Sequence, residues 1–414
     1  DGTWIPPVSI QHLPFETELL SHIRDNMIQQ EHCTRPSHIT AEEHSYHWKR
    51  RQAGTASEAS QLGFPHHIIG AYSQTIAEID AALRSAPYEL GFSPTAFEDM
   101  TDFQLLKTDG MYDVEKMRTI KLMAALFNEN NKKLGRDMMY HAEQAEMIAD
   151  DQHGSRKWRD SKRLTGEVTV SLDIPRQHRL AASHVSLDAS QCYDRMAHPP
   201  AGLCMIQHGA HPPAVRSMFR VLQNANNRVA TAFGISGHSY GGILRQQRGL
   251  RPCQGSGQGN GAGPASFLAE SSTMVQRMRA RGYHAITIAC ISLVSLVYFG
   301  FLFVDDKQGQ QVAEDMDTSG EDMVPQTQDS LDQWVGLLGA TGGAINPSKS
   351  LWYLLDYKWR GSSWIYRPQR DMPGSLSAVD PDGVVTQLLR LDPHQASKQL
   401  GVYIACDGNM QEEI

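Results

Sequence analysis

The sequence predicts a mixed α+β protein. Segments with apolar residues at helical spacing (70–84, 212–226 and 265–279) alternate with short strand-like runs at 117–122, 184–187 and 351–357. Residues 285–304 carry no charged side chain, yet Ile, Val, Thr and aromatic residues dominate and Gly300 interrupts them, a composition of strands rather than of one long helix. At 414 residues and 40% hydrophobic content, the chain has room for two or three structural units and a substantial core.

Taken in order, residues 1–100 are polar, His-rich and weakly patterned, with helical stretches at 15–30 and 70–84. Lys107-Thr-Asp-Gly110 reads as a turn, 117–122 as a strand and 127–148 as helix, punctuated by Lys107, Lys116, Arg118, Lys121, Lys132, Lys133 and Arg136. A charged connection follows at 149–165, and the strand 184–187 runs into Asp188. Residues 245–263 form a glycine-rich loop ahead of the helix at 265–279. In 285–304 two buried strands are expected, joined by a turn near Ser292–Ser295. Residues 308–329 are acidic, contain Pro325 and read as an exposed loop. Ser330-Leu-Asp-Gln333 has the form of a capping box, opening a helix with Leu331, Trp334, Val335 and Leu338 on one face, which Gly342-Gly343 ends. Ile345-Asn-Pro-Ser-Lys349 turns into the strand 351–357, and 359–366 and 383–391 read as further short strands.

Cys33, Cys192, Cys204, Cys253, Cys290 and Cys406 are scattered without a CxxC pair, which argues against a disulfide framework or zinc knuckle and fits a reducing compartment. His32, Cys33, His38, His44 and His47 cluster, but at no standard zinc spacing; solvated or core histidines are expected. The chain opens at Asp1 without a methionine or signal peptide, as a fragment would, and an intracellular (nuclear or cytoplasmic) location is expected. The net charge of −8 hides a division. Residues 195–281 hold ten arginines, no lysine and the single acid Glu270, whereas 305–332 hold nine acids against Lys307. That contrast suggests a phosphate-binding surface beside a metal site.

Five constellations carry the chemistry. The apolar run ends in Phe303-Val-Asp305-Asp306; adjacent carboxylates repel and call for a cation. Upstream, the strand leads into Asp188-Ala-Ser-Gln-Cys-Tyr193-Asp194-Arg195-Met-Ala-His198. Between them lies Gln258-Gly259-Asn-Gly-Ala-Gly-Pro264, which no buried strand precedes, so a dinucleotide-binding loop is disfavoured. Gly343-Ala-Ile-Asn-Pro-Ser-Lys349 and Leu400-Gly401-Val402 follow.

In this order the motifs resemble those of reverse transcriptases of non-LTR-type retroelements, most nearly algal or diatom-type retroelement polymerase frames. The resemblance covers roughly residues 100–410 and includes Lys116-Met-Arg118-Thr-Ile120 and Gln152-His-Gly-Ser-Arg-Lys157. It implies a right-hand polymerase: an N-terminal extension at 1–100, fingers at 101–180 with further elements near 212–250, an antiparallel-sheet palm at 181–395, and the start of a primer-grip hairpin at 396–414. The thumb would be absent or truncated.

The implied activity is RNA-directed DNA synthesis from dNTPs on an RNA template and DNA primer, with two Mg2+ ions (or Mn2+). Asp188, Asp305 and the Ala189 carbonyl would hold the metals, with Asp306 auxiliary. Lys349 would protonate pyrophosphate. Lys107, Arg118, Tyr193, Gln258 and Gly259 would contact the nucleotide, with Tyr193 excluding a 2′-hydroxyl, and Leu400, Gly401 and Val402 the primer. The 195–281 arginines would follow the nucleic-acid backbone. Lys307 departs from the family pattern, where pairing with Asp306 would weaken metal affinity. A catalytically decayed relic that still binds nucleic acid, and a membrane-anchored protein spanning at 285–304, are the alternatives; the favoured reading has no membrane partner and leaves the oligomeric state open.

Overall fold

The computed structural model describes residues 11–58, 62–92, 94–113, 117–250, 253–288, 295–409 and 411. The fold is mixed α+β. Two compact units interleave along the chain: one contains the described parts of Asp1–Asp25, Ile148–Cys192 and Glu270–Ile414, the other those of Asn26–Met147 and Tyr193–Ala269.

The first unit is built on a five-stranded sheet in the order Leu389–Leu391, Leu351–Leu355, Ala182–Leu187, Asp306–Val312, Gly300–Phe303. Its pairings are antiparallel except for the parallel edge strand 389–391. Strand side chains alternate between faces, and both faces are apolar here. Val185, Leu187, Trp352 and Leu354 meet Leu331, Trp334, Leu337 and Leu338 of the helix Gly320–Ala340 and Met274, Val275 and Met278 of the helix Gly263–Ala280. Ala182, Tyr353 and Leu355 meet Leu164, Val168 and Leu172 of the helix Ser161–His178, together with Ile404 and Cys406. Burial on two faces explains why Leu351–Leu355 reads as a continuous apolar run, whereas Asp306–Val312 is polar in sequence and yet buries Lys307, Gln308 and Gln310.

Three expectations for this unit are corrected. Residues 308–329 are not an exposed loop: Asp306–Val312 is a sheet strand and the helix already starts at Gly320. Its cap is Ser319, whose hydroxyl accepts the Asp322 N–H while the Asp322 carboxylate accepts the Ser319 N–H, so Ser330 is an interior helical residue and not a cap. Glu321 and Asp322 are favourable in that first turn because they face the positive end of the helix dipole. Third, the strands in the apolar run are not fully buried. Ala285–Ile288 and Ser295–Tyr298 pair antiparallel as a ribbon that buries Ala285 and Tyr298 but exposes Ile286, Ile288 and Val297. The turn expected near Ser292–Ser295 falls, apart from Ser295, outside the described residues. Among the described residues no helix is long and apolar enough to cross a membrane.

The second unit has a four-stranded sheet in the order Met117–Leu122, Asp99–Leu106, Asn226–Thr231, Gly234–Gly241. Helices Gln74–Leu90, Ala125–Gln144 and Pro212–Asn224 belong to the same unit. The histidine cluster divides as expected of core and surface residues: His44 is buried 3.6 Å from Asp80, which also holds His67 at 2.7 Å, whereas His38 is exposed.

Candidate functional site

The strands Gly300–Phe303 and Asp306–Val312 form a hairpin with Phe303 opposite Asp306, leaving Val304 and Asp305 as its tip. Val304 has φ +58°, a conformation unfavourable for a β-branched residue, so something must hold it. The segment 151–154 does. Leu302 donates its N–H to the Asp151 carbonyl and accepts the His153 N–H, each at 2.8 Å. The Gln152 carboxamide oxygen accepts from Val304 N–H (3.2 Å) and Gly154 N–H (2.8 Å). A side chain at Gly154 would run into the Val304 backbone nitrogen, so this approach requires glycine. The Asp151 carboxylate, wholly enclosed, accepts the N–H groups of Phe299 and Gly300 at 2.9 and 3.2 Å and pairs with Arg279 at 2.6 Å. Burial pushes its pKa upward against the pull of Arg279 and those amides.

Asp188 reaches the same place from the neighbouring strand. Leu187 pairs with Lys307, and the same register carried one residue further sets Asp188 against Asp306, next to the turn that holds Asp305. The loop 343–350 wraps the other side. Asn346 N–H donates to the Asp188 carbonyl and Ser190 N–H to that of Ala344, each at 2.8 Å, while Asp188 N–H reaches Ser350 Oγ at 3.2 Å. Ala189 faces Ile345 as a non-hydrogen-bonded bridge pair, so its own carbonyl points away from that loop, toward the hairpin side. Lys349 is exposed in the short turn Pro347–Lys349 of the same loop.

The electrostatics agree with this convergence. Burial, then the charges of Asp305 and Asp188, push Asp306 up to about 6. Among the described residues no three acid, His or Cys side chains form a ready-made metal cage. The residues that could hold a hard, partly hydrated cation here are Asp188, Asp305 and Asp306, with the Ala189 carbonyl.

Lys307 does not pair with Asp306, contrary to expectation. Successive strand residues face opposite ways, and Lys307 points into the core between the rings of Phe299 and Trp334, 4.2 and 4.1 Å from their centroids. Burial lowers its pKa well below the usual lysine value, against the opposing charge of Asp151. Of the basic segment 195–281, Arg277 and Arg281 pair with Glu18 and Arg279 with Asp151, so these three are engaged within the first unit. Arg216, Arg220, Arg228, Arg245 and Arg248 are exposed on the second.

Leu400 and Gly401, with φ +50° and +90°, turn a hairpin between Ser397–Gln399 and Val402–Ile404. In the second unit the loop carrying Gln258 and Gly259 is clamped by protein. The Gln258 carbonyl accepts the Lys121 N–H at 2.7 Å, and a Cβ on Gly259 (φ +114°) would lie 2.6 Å from the Lys121 carbonyl oxygen. Ser256 N–H donates to the Tyr193 carbonyl at 2.8 Å, and the Tyr193 ring packs near Gly263 and edge-on to Phe267. Arg118 is exposed opposite Leu105, and Lys107 is exposed beyond the same strand pair. Lys116 lies outside the described residues.

A feature the motifs did not signal lies beside this loop: Lys121 pairs with the buried Asp102 at 2.8 Å and donates to Asn227 at 2.6 Å, while the Tyr240 hydroxyl donates to Asp102. These residues line a cavity of about 210 Å³ with Asp194, Gln254 and Gln258. Nor did residue types reveal the bracing role of Asp151, Gln152 and Gly154; only the Gln152–Lys157 resemblance pointed to that stretch. No protein-family model and no curated protein matches the chain.

Proposed function

We propose that this chain is a reverse-transcriptase-type polymerase, extending a DNA primer with dNTPs against an RNA template. The observation that carries the reading is geometric: the strand ending at Asp188 pairs beside the hairpin whose tip carries Asp305 and Asp306, near enough for the charges of Asp305 and Asp188 to bear on Asp306. Two Mg2+ ions, or Mn2+ in their place, would be held by Asp188, Asp305 and the Ala189 carbonyl with Asp306 auxiliary, activating the primer hydroxyl and neutralising triphosphate charge when bound. Lys349, exposed on the loop that wraps Asp188, would give its proton to the pyrophosphate oxygen. Arg118 and Lys107 would orient the triphosphate, since phosphoryl transfer depends chiefly on positioning and charge. Tyr193 would lie under the incoming sugar, Gln258 and Gly259 would contact the nucleotide, and the Leu400–Val402 hairpin would hold the primer. A nucleic-acid-binding relic without polymerase activity is the second reading.

Primer extension on an RNA template with Mg2+ separates the two. Incorporation by the wild type, with a loss of about a thousandfold or more in Asp305→Ala, is expected. No incorporation by the wild type, or an unimpaired variant, overturns the polymerase reading.

A further inference from the structure

We propose that Gln152 is a positioning residue for the metal-binding carboxylate Asp305, acting through the backbone of Val304; the inference rests on the polymerase reading for its role in catalysis. Gln152 is fully buried, and each end of its carboxamide is spent on the hairpin tip or its support. The oxygen takes the Val304 N–H at 3.2 Å and the Gly154 N–H at 2.8 Å. The nitrogen donates to Ser271 Oγ at 2.8 Å and reaches the Val304 carbonyl at 3.5 Å. Both backbone polar groups of the residue before Asp305 are therefore addressed by one side chain.

The need for such a device follows from the turn. Valine in the left-handed region is unfavourable, and a hairpin tip of two residues would relax toward a conformation that re-aims the next side chain. Val304 sets the direction of Asp305, so relaxation there moves one carboxylate of the cluster while Asp188, held by Asn346 and Ser350, stays in place. Gly154 reinforces the arrangement by closing the space into which the Val304 backbone would move. Residues that orient a ligand without touching the ion commonly matter about 10–100-fold in metal affinity.

The test uses the full chain and Mn2+ alone, with binding read by electron paramagnetic resonance and, separately, the Mg2+ dependence of primer extension. Gln152→Met keeps the length and removes the carboxamide; Gly154→Ala pushes on Val304 from the other side; Ser271→Ala removes the hydroxyl that accepts the Gln152 amide. Leu331→Ala, a core truncation that removes none of the hydrogen bonds at the tip, reports what general destabilisation does. The expected result is about tenfold weaker Mn2+ binding in Gln152→Met and Gly154→Ala and a smaller loss in Ser271→Ala. The Mg2+ half-saturation for extension would shift in parallel, KM for dNTP would stay within about twofold, and Leu331→Ala would bind Mn2+ as the wild type does. Unchanged Mn2+ affinity in folded Gln152→Met, or in Ser271→Ala should the others fail to fold, overturns the proposal. So does an equal loss in Leu331→Ala, or a wild type that binds no Mn2+. A wild type that binds Mn2+ but extends no primer overturns the polymerase reading alone.

Discussion

The ammonium of Lys307 sits 4.1 Å from the ring centroid of Trp334, on the opposite face of its strand from its neighbour Asp306. One residue step separates a buried, aromatic-caged cation from a carboxylate at the hairpin tip. The lysine is thus a core residue in its packing, and its charge is not offered to the metal cluster.

Lys307→Met is accordingly expected to keep primer extension within about threefold of wild type and to change stability by less than about 1.5 kcal/mol, since it preserves length and fills the same slot. Lys307→Glu should cost about 3 kcal/mol or more by placing an anion among Phe299, Trp334 and Asp151. Urea denaturation of both variants checks the contrast.

Asp306 carries the cost of the cluster when no cation is bound. Its folded pKa of about 6 lies above the ordinary value of 3.8, so the folded state binds the extra proton between those limits and loses stability as pH rises through about 6. In EDTA at pH 7.5, Asp306→Asn should stabilise the chain by about 1–2 kcal/mol, allowing for the partial exposure of the group. Mg2+ should narrow the difference, and melting curves with and without the ion measure it.

His184 is fully buried in the central strand, and burial lowers its pKa from 6.5 to about 4. The unfolded chain takes up a proton at higher pH than the folded one, so stability is present above 6.5 and falls as pH drops toward 4. The loss attributable to this site is about 2–3 kcal/mol. His184→Gln should shallow the acid limb of a stability-against-pH profile, and an unchanged slope would refute the assignment.

Gly259→Ala tests the clamp on the loop of the second unit. The added Cβ meets the Lys121 carbonyl oxygen at a residue whose φ is +114°, so a loss of about 2 kcal/mol or more is expected. Thermal denaturation of this variant beside Gly361→Ala, whose Cβ would stand in open space, separates the steric contribution from the left-handed backbone common to both.

Sequence alone determined the local elements. Periodicity marked the strand now seen at Met117–Leu122 and the helices at Pro212–Asn224 and Gly263–Ala280, because side-chain spacing records which face of an element is buried. Residue type also marked the carboxylates, since Asp305-Asp306 after an apolar run has few uses. The acidic stretch misled because Glu321 and Asp322 suit a loop and a helix N-terminus equally, and only the reciprocal bonds of Ser319 and Asp322 decide between them. Tertiary structure alone decided that Asp188 comes beside Asp306, more than a hundred residues away, through the Leu187–Lys307 register. It also decided that Lys307 turns inward and that Gln152 holds the hairpin tip. These are outcomes of strand pairing, in which a shift of one residue would turn every side chain to the other face, and no local pattern records the partner. The Asp-Asp hairpin was therefore legible as chemistry, while its aim depends on a glutamine and a glycine whose partners only the folded chain brings near.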